Sequence, residues 1–176
     1  MPPAYDTQVL ISEAQIRERI AELGRDIAAQ HTGKRLVCVG VLKGSFMFLA
    51  DLVRAIPLPE LEVDFIGVSS YQGTQSTGVV RITTDLARSI EGEDVLLVED
   101  IVDTGLTIRY LLDNLATRRP RTPKVAALLE KPARAKVQVP VDFRGFTIED
   151  RFVVGYGLDY DGRLRNLPHV ALLHLR

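Results

Sequence analysis

The sequence predicts a doubly wound α/β fold, a mainly parallel sheet with helices on its faces. Three observations carry this reading: short apolar runs rich in β-branched residues, stretches of helical periodicity, and the alternation of strand and helix in both the first and the later part of the chain. Ser12 followed by Gln15 forms a capping-box pattern, and Ile16, Ile20, Leu23 and Ile27 recur at helical spacing, so an amphipathic helix is expected from 12 to about 30. The run Leu36-Val37-Cys38-Val39-Gly40-Val41-Leu42 is apolar throughout, as in a parallel strand covered on both sides. A helix follows from about 45 to 55, ended by Pro57 and Pro59. Strands are expected at 61–68, 79–83, 95–99 and 125–129. Between the last two, residues 104 to about 118 carry Leu106, Ile108, Leu111, Leu112 and Leu115 at helical spacing. The crossovers joining parallel strands should be right-handed. Residues 152–155 and 169–175 are further short strands that build a small flap or extend the sheet.

Length and composition bound the function. At 176 residues the chain is expected to form one domain, and no internal repeat or low-complexity linker divides it. Apolar residues at 46% and charged residues at 26% exclude disorder and fibrous repeats. Lys plus Arg number 22 against 23 Asp plus Glu, so no bulk attraction to nucleic acid is expected. Cys38 stands alone, which excludes an internal disulfide or a cysteine-rich zinc site and suits a reducing cytoplasm. The N-terminus lacks the pattern of a signal peptide, and no apolar run reaches the roughly 18 residues of a membrane helix, so a cytoplasmic protein without a membrane partner is expected.

The most informative segment is Val95 onward: four apolar residues, then Glu99 and Asp100 side by side, Asp103, and the turn Thr104-Gly105-Leu106-Thr107 opening a helix. In open α/β sheets ligands bind at the carboxyl ends of strands, where this segment falls. Gly105 lets backbone approach a ligand, the two threonines offer hydroxyls, and the free N–H groups of a first helical turn favour an anion, most simply a phosphate. Glu99 and Asp100, if still on the strand, should point in roughly opposite directions. Carboxylates can accept from sugar hydroxyls or hold Mg²⁺ through water, so the combination suits a ribose 5-phosphate. Neither a Walker A loop nor a G-x-G-x-x-G pattern is present, which leaves a nicotinamide cofactor unsupported.

The string Glu99-Asp100-Ile101-Val102-Asp103-Thr104-Gly105-Leu106-Thr107 resembles the phosphoribosyl pyrophosphate (PRPP) motif of type I phosphoribosyltransferases, in the form of the hypoxanthine-guanine branch. Val41-Leu42-Lys43-Gly44-Ser45 resembles that branch's pyrophosphate loop, Ser69-Ser70-Tyr71-Gln72-Gly73 the start of its mobile loop, and Lys131-Pro132 with the run from Phe152 to Tyr160 its purine-binding hood. The resemblance implies the type I phosphoribosyltransferase fold, a mainly parallel central sheet flanked by helices, with a small hood and a mobile loop. The core would span about 36–135, and the hood would combine the N-terminal segment with about 136–176.

The implied reaction joins a 6-oxopurine to PRPP and releases pyrophosphate. Glu99, Asp100, Asp103, Thr104, Gly105, Leu106 and Thr107 would bind the ribose phosphate, and Leu106, where some relatives carry Lys, loses a side-chain charge but no backbone donor. Lys43, Gly44 and Arg165 would hold the pyrophosphate, and the Leu42–Lys43 peptide is often cis in relatives. Mg²⁺ would bridge the oxygens, with Glu99, Asp100 and Asp159 as its protein partners. Asp103 would act catalytically beside purine N7. Lys131, Phe152, Val153 and Asp159 would bind the purine: Lys131 at O6, where an amino group would be opposed, and Phe152 by stacking. Ser70 and Tyr71 would belong to a lid, because the polar stretch 69–78 is longer than a hairpin needs. Partners would be PRPP, the base and further copies of the chain in a homodimer or homotetramer. A PRPP-sensing regulator of nucleic-acid binding is the competing reading, against which the chain shows no basic excess and keeps Asp103, Lys131 and Asp159. His31, His169 and His174 lack the spacing of a metal site and are read as structural or surface groups.

Overall fold

Every residue of the 36–42 run except Leu42 is buried in the computed structural model, which describes residues 5–70 and 80–176. In chain order the elements are β1 (Tyr5–Ile11), α1 (Glu13–His31), β2 (Leu36–Leu42), α2 (Phe46–Ala55), β3 (Leu61–Ser70), β4 (Val80–Thr84), β5 (Asp94–Val102), α3 (Leu106–Ala116), β6 (Thr122–Glu130), β7 (Phe143–Thr147), β8 (Val153–Val154) and β9 (Val170–Leu175). The capping box of α1 is formed: the Gln15 N–H donates to Ser12 Oγ, and the Ser12 N–H donates to Gln15 Oε1 at 2.9 Å.

Six strands make the central sheet in the order β4-β3-β2-β5-β6-β7, all pairs parallel except β3 with β4. Side chains alternate between its faces. Leu96 and Val98 pack with Ile20, Leu23, Phe48 and Leu52 of α1 and α2, whereas Val95 and Leu97 pack with Ile108, Leu111 and Leu115 of α3. Each such side chain, fully buried, contributes about 1.5–3 kcal/mol, so the sheet is clamped between two apolar layers. Helices therefore cover both faces, as the continuous apolar strands require.

The winding positions the site. From β2 the chain crosses through α2 to β3 on one side, and from β5 it crosses through α3 to β6 on the other. The strand order reverses between β2 and β5, and the loops following these two strands face each other across the crevice that such a reversal opens. At the opposite end of β5, far from that crevice, the carboxylate of buried Asp94 lies 3.0 Å from His31 Nδ1.

A second, antiparallel sheet, β1-β9-β8, gathers the N-terminal segment and the C-terminal strand beside the crevice. Two strands had no clear sequence pattern. β1 is almost wholly exposed, so no buried face marks it. β7, expected within the hood, instead pairs in parallel with β6 and extends the central sheet, because Phe143 is buried in the core beside Ala126 and Leu128. Among the described residues no helix is long and apolar enough to cross a membrane.

Candidate active site

Strand β5 is buried through Glu99, which keeps only 6% of its surface exposed. The expectation that Glu99 and Asp100 diverge is corrected here: both line the same cavity. Each carboxylate folds back on the chain, the Asp100 N–H donating to Glu99 Oε1 at 3.1 Å and the Ile101 N–H to Asp100 Oδ1 at 2.8 Å. Burial, and then the neighbouring Asp100 carboxyl, hold the Glu99 carboxyl well above the usual carboxylate range. Two crowded oxygen donors of this kind fit a hard divalent cation, which would relieve their repulsion. Among the described residues no third His, Cys, Asp or Glu joins them, so such an ion would complete its shell from substrate and water.

The turn after β5 is built for close approach. Gly105 is the N-cap of α3 with φ +81°. A Cβ there would overlap the Val137 carbonyl, so glycine alone fits. The Thr104 carbonyl accepts from the N–H groups of Lys136 and Val137, at 2.9 and 3.2 Å, which braces the turn from behind. Gly105 has no side chain to cap the helix; the Leu106 N–H donates to Thr104 Oγ1 over a long 3.4 Å that an anion can displace, and the N–H groups after it are open to the same anion.

That turn lines a cavity of about 270 Å³ with Glu99, Asp100, Asp103, Thr104, Gly105 and Thr107. Gly44, Asp159 and Arg165 close its other side. Gly44 abuts the Asp100 carboxylate with no space for a Cβ. Arg165 donates to the Gly157 carbonyl at 2.6 Å and pairs with Asp159 Oδ1 at 2.7 Å, and the Gly162 N–H donates to Asp159 Oδ2. Leu106 begins α3 without lining the cavity, and Lys43 is exposed just after a cis Leu42–Lys43 peptide.

A second cavity, about 650 Å³, is lined by Lys131, Phe152, Val153 and Asp159, and it shares Asp100, Ile101, Asp103 and Asp159 with the first. Phe152 is 55% exposed and is held edge-on by Tyr160, their ring centroids 6.0 Å apart. Val153 is fixed by the pairing of β8 with β9. Lys131 is 7% exposed, with its N–H donating to the Val102 carbonyl at 2.9 Å and its Nζ 3.8 Å from Asp150 Oδ1.

Residues 9–161 match the family model described as a phosphoribosyl transferase domain. The chain belongs to the phosphoribosyltransferase family. It is 51% identical to a hypoxanthine-guanine phosphoribosyltransferase of Mycobacterium avium over 99% of this chain and 89% of that protein. It is 49% identical to a hypoxanthine phosphoribosyltransferase of Salmonella typhimurium over 95% of both. A crystal structure of a hypoxanthine phosphoribosyltransferase from Staphylococcus aureus superposes with a TM-score of 0.90 at 45% identity, covering 95% of this chain and 91% of that one.

In this phosphoribosyltransferase the sequence reading overlooked two charged residues at the site. Arg134 Nε lies 2.8 Å from Asp103 Oδ1, and Arg134 Nη1 lies 3.5 Å from Asp150 Oδ1. Their only sequence signal was the spacing of Arg134 three residues after Lys131, across Pro132. Ser70 ends β3, where it pairs with Val80, and Tyr71 lies outside the described residues. Cys38 is buried in β2, away from both cavities.

Proposed function

We propose that this phosphoribosyltransferase transfers the 5-phosphoribosyl group of PRPP to N9 of a 6-oxopurine, hypoxanthine or guanine. The bond from C1′ to the pyrophosphate oxygen breaks, the C1′–N9 bond forms, and the base gives up its N–H proton as pyrophosphate leaves. One observation carries the reading: the cavity at the 104–107 turn and the cavity beside Lys131 and Phe152 meet along Asp100, Ile101, Asp103 and Asp159, where the reacting carbon would stand between them.

The reading gives each residue at the site a role. The N–H groups at Gly105, Leu106 and Thr107, with the Thr104 and Thr107 hydroxyls, would take the 5′-phosphate. Glu99 and Asp100 would accept from the ribose diol, and Lys43, Gly44 and Arg165 would receive the pyrophosphate. Asp103 would stand near N7 and take up the proton as N9 becomes nucleophilic. Lys131 would donate to O6, Phe152 would stack on the ring, the Val153 backbone would read its N1 and C2 edge, and Asp159 would support this wall. Ser70 and Tyr71 would belong to a lid that excludes water from the cationic ribosyl centre. Glu99 and Asp100 would hold Mg²⁺, with Asp159, whose oxygens are already paired with Arg165 and the Gly162 N–H, helping only through water; the ion when bound would neutralise charge on the departing pyrophosphate. A cytoplasmic setting and a homodimer or homotetramer complete the reading, and light scattering of the purified protein measures the latter.

The test is direct. Protein, PRPP, Mg²⁺ and hypoxanthine should yield inosine monophosphate and pyrophosphate in equal amounts, with guanine as the parallel substrate. PRPP binding without nucleotide formation would overturn the assignment.

A further inference from the structure

We propose that Arg134 is a positioning residue for Asp103: it grips one carboxylate oxygen so that the other is presented to the purine, with Asp150 steadying the guanidinium. The inference rests on the transferase reading given above and deepens it at one residue.

The backbone dictates where Arg134 points. After β6, Pro132–Arg134 form a single 3-10 turn with the Arg134 N–H donating to the Lys131 carbonyl at 3.1 Å. Lys131 precedes the turn with non-helical backbone, and the turn brings Arg134 round to line the same cavity as Lys131. The turn is fastened at both ends, by the Lys131 N–H on the Val102 carbonyl and by the Lys136 and Val137 N–H groups on the Thr104 carbonyl. The residues that accept these bonds flank Asp103. Arg134 and Asp103 are thus mounted on two segments that share one frame.

The side chains then form a line of alternating charge, Asp103, Arg134, Asp150 and Lys131, along the base cavity that all four line. Asp103 Oδ1 is closed to solvent and makes no hydrogen bond among the described residues; the Arg134 ion pair is what faces it. With Oδ1 so placed, Oδ2 is the oxygen left for the base. The side chains of Arg134 and Asp103 are 45% and 38% exposed, and pairs that open to water add little stability. The contact therefore matters for aim: a carboxylate that must meet one ring atom loses rate steeply when displaced by an ångström.

The experiment is steady-state kinetics of the full chain and its variants R134A, R134K, D103N and the double variant R134A/D103N, with PRPP, Mg²⁺ and hypoxanthine. R134A is expected to lower kcat by about 10- to 100-fold while both KM values stay within about threefold, the split expected when aim and not binding is lost. R134K should regain part of that kcat. The double variant should be no slower than D103N alone, because a residue that works through Asp103 has nothing left to act on. An unchanged kcat in R134A, a change confined to KM, or losses that multiply in the double variant would each overturn the proposal. Were R134A to fail to fold, R134K and the comparison of its kcat with wild type carry the same decision. Wild-type protein that makes no nucleotide overturns the transferase reading and this inference with it; active wild type with an indifferent Arg134 overturns this inference alone.

Discussion

Gly157 stands against the carbonyl of Gly44 with no room for a Cβ between them, so the hood rests directly on the loop that follows β2. The contact joins the wall of the base cavity to the wall of the phosphate cavity through two glycines. Arg165 reinforces it by donating to the Gly157 carbonyl at 2.6 Å, and the Gly157 N–H donates to the Arg165 carbonyl at 2.9 Å.

Replacing Gly157 by Ala should therefore harm both stability and pyrophosphate binding. Gly157 holds φ +99°, and a side chain in left-handed backbone costs about 1–2 kcal/mol before the overlap with Gly44 is counted. A fall in Tm of at least about 4 °C is expected in a domain of this size, together with weaker PRPP affinity. Melting curves and calorimetric titration check it, and a variant equal to wild type in both would contradict the contact.

Glu99→Gln should stabilise the ligand-free protein at neutral pH while weakening its hold on PRPP. The Glu99 carboxyl is raised above its ordinary value of 4.5 by burial and by Asp100, so its contribution to stability is fully present below pH 4.5 and is lost as pH climbs through the folded-state value. Glutamine removes that loss. The Tm of the variant should match wild type near pH 4.5 and exceed it by a margin that grows as pH rises above 4.5, levelling off past the folded-state value, with each ~1 kcal/mol giving about 2–4 °C. A margin independent of pH would contradict the assigned cause.

The legibility of this chain followed the physics of its segments. The strand, turn and helix around Glu99 to Thr107 could be read because burial, backbone approach and capping each leave a local mark. β1 and β7 could not, since one is exposed and the other is a short edge strand interrupted by Gly145. The convergence of Glu99 and Asp100 was hidden because each carboxylate is turned by the N–H of the residue that follows it, Asp100 and Ile101. Arg134 and Asp150 meet only through tertiary structure, 16 residues apart, and no spacing rule reaches that far.

Lys131→Ala should relax the choice of base. A hydrogen bond from a charged donor is worth about 1.5–3 kcal/mol, so the preference for hypoxanthine over adenine, measured as a ratio of kcat/KM values, should fall by at least about tenfold. An unchanged ratio would remove Lys131 from O6.

Burial pushes the Cys38 thiol from 9.0 up to about 12, so the native protein should resist iodoacetamide at pH 8 and react only in denaturant. The stabilising effect of the buried thiol is complete below pH 9 and is lost as pH climbs toward 12. Labelling of the folded protein, followed by mass spectrometry, would show that β2 opens readily.

The central claim is that the turn at 104–107 takes the nucleotide's phosphate, and a crystal structure with inosine monophosphate bound tests it most directly. The account predicts the 5′-phosphate on the N–H groups of Gly105, Leu106 and Thr107, the ribose hydroxyls on Glu99 and Asp100, and the base against Phe152 with O6 at Lys131. Nucleotide bound elsewhere with that turn empty would contradict it.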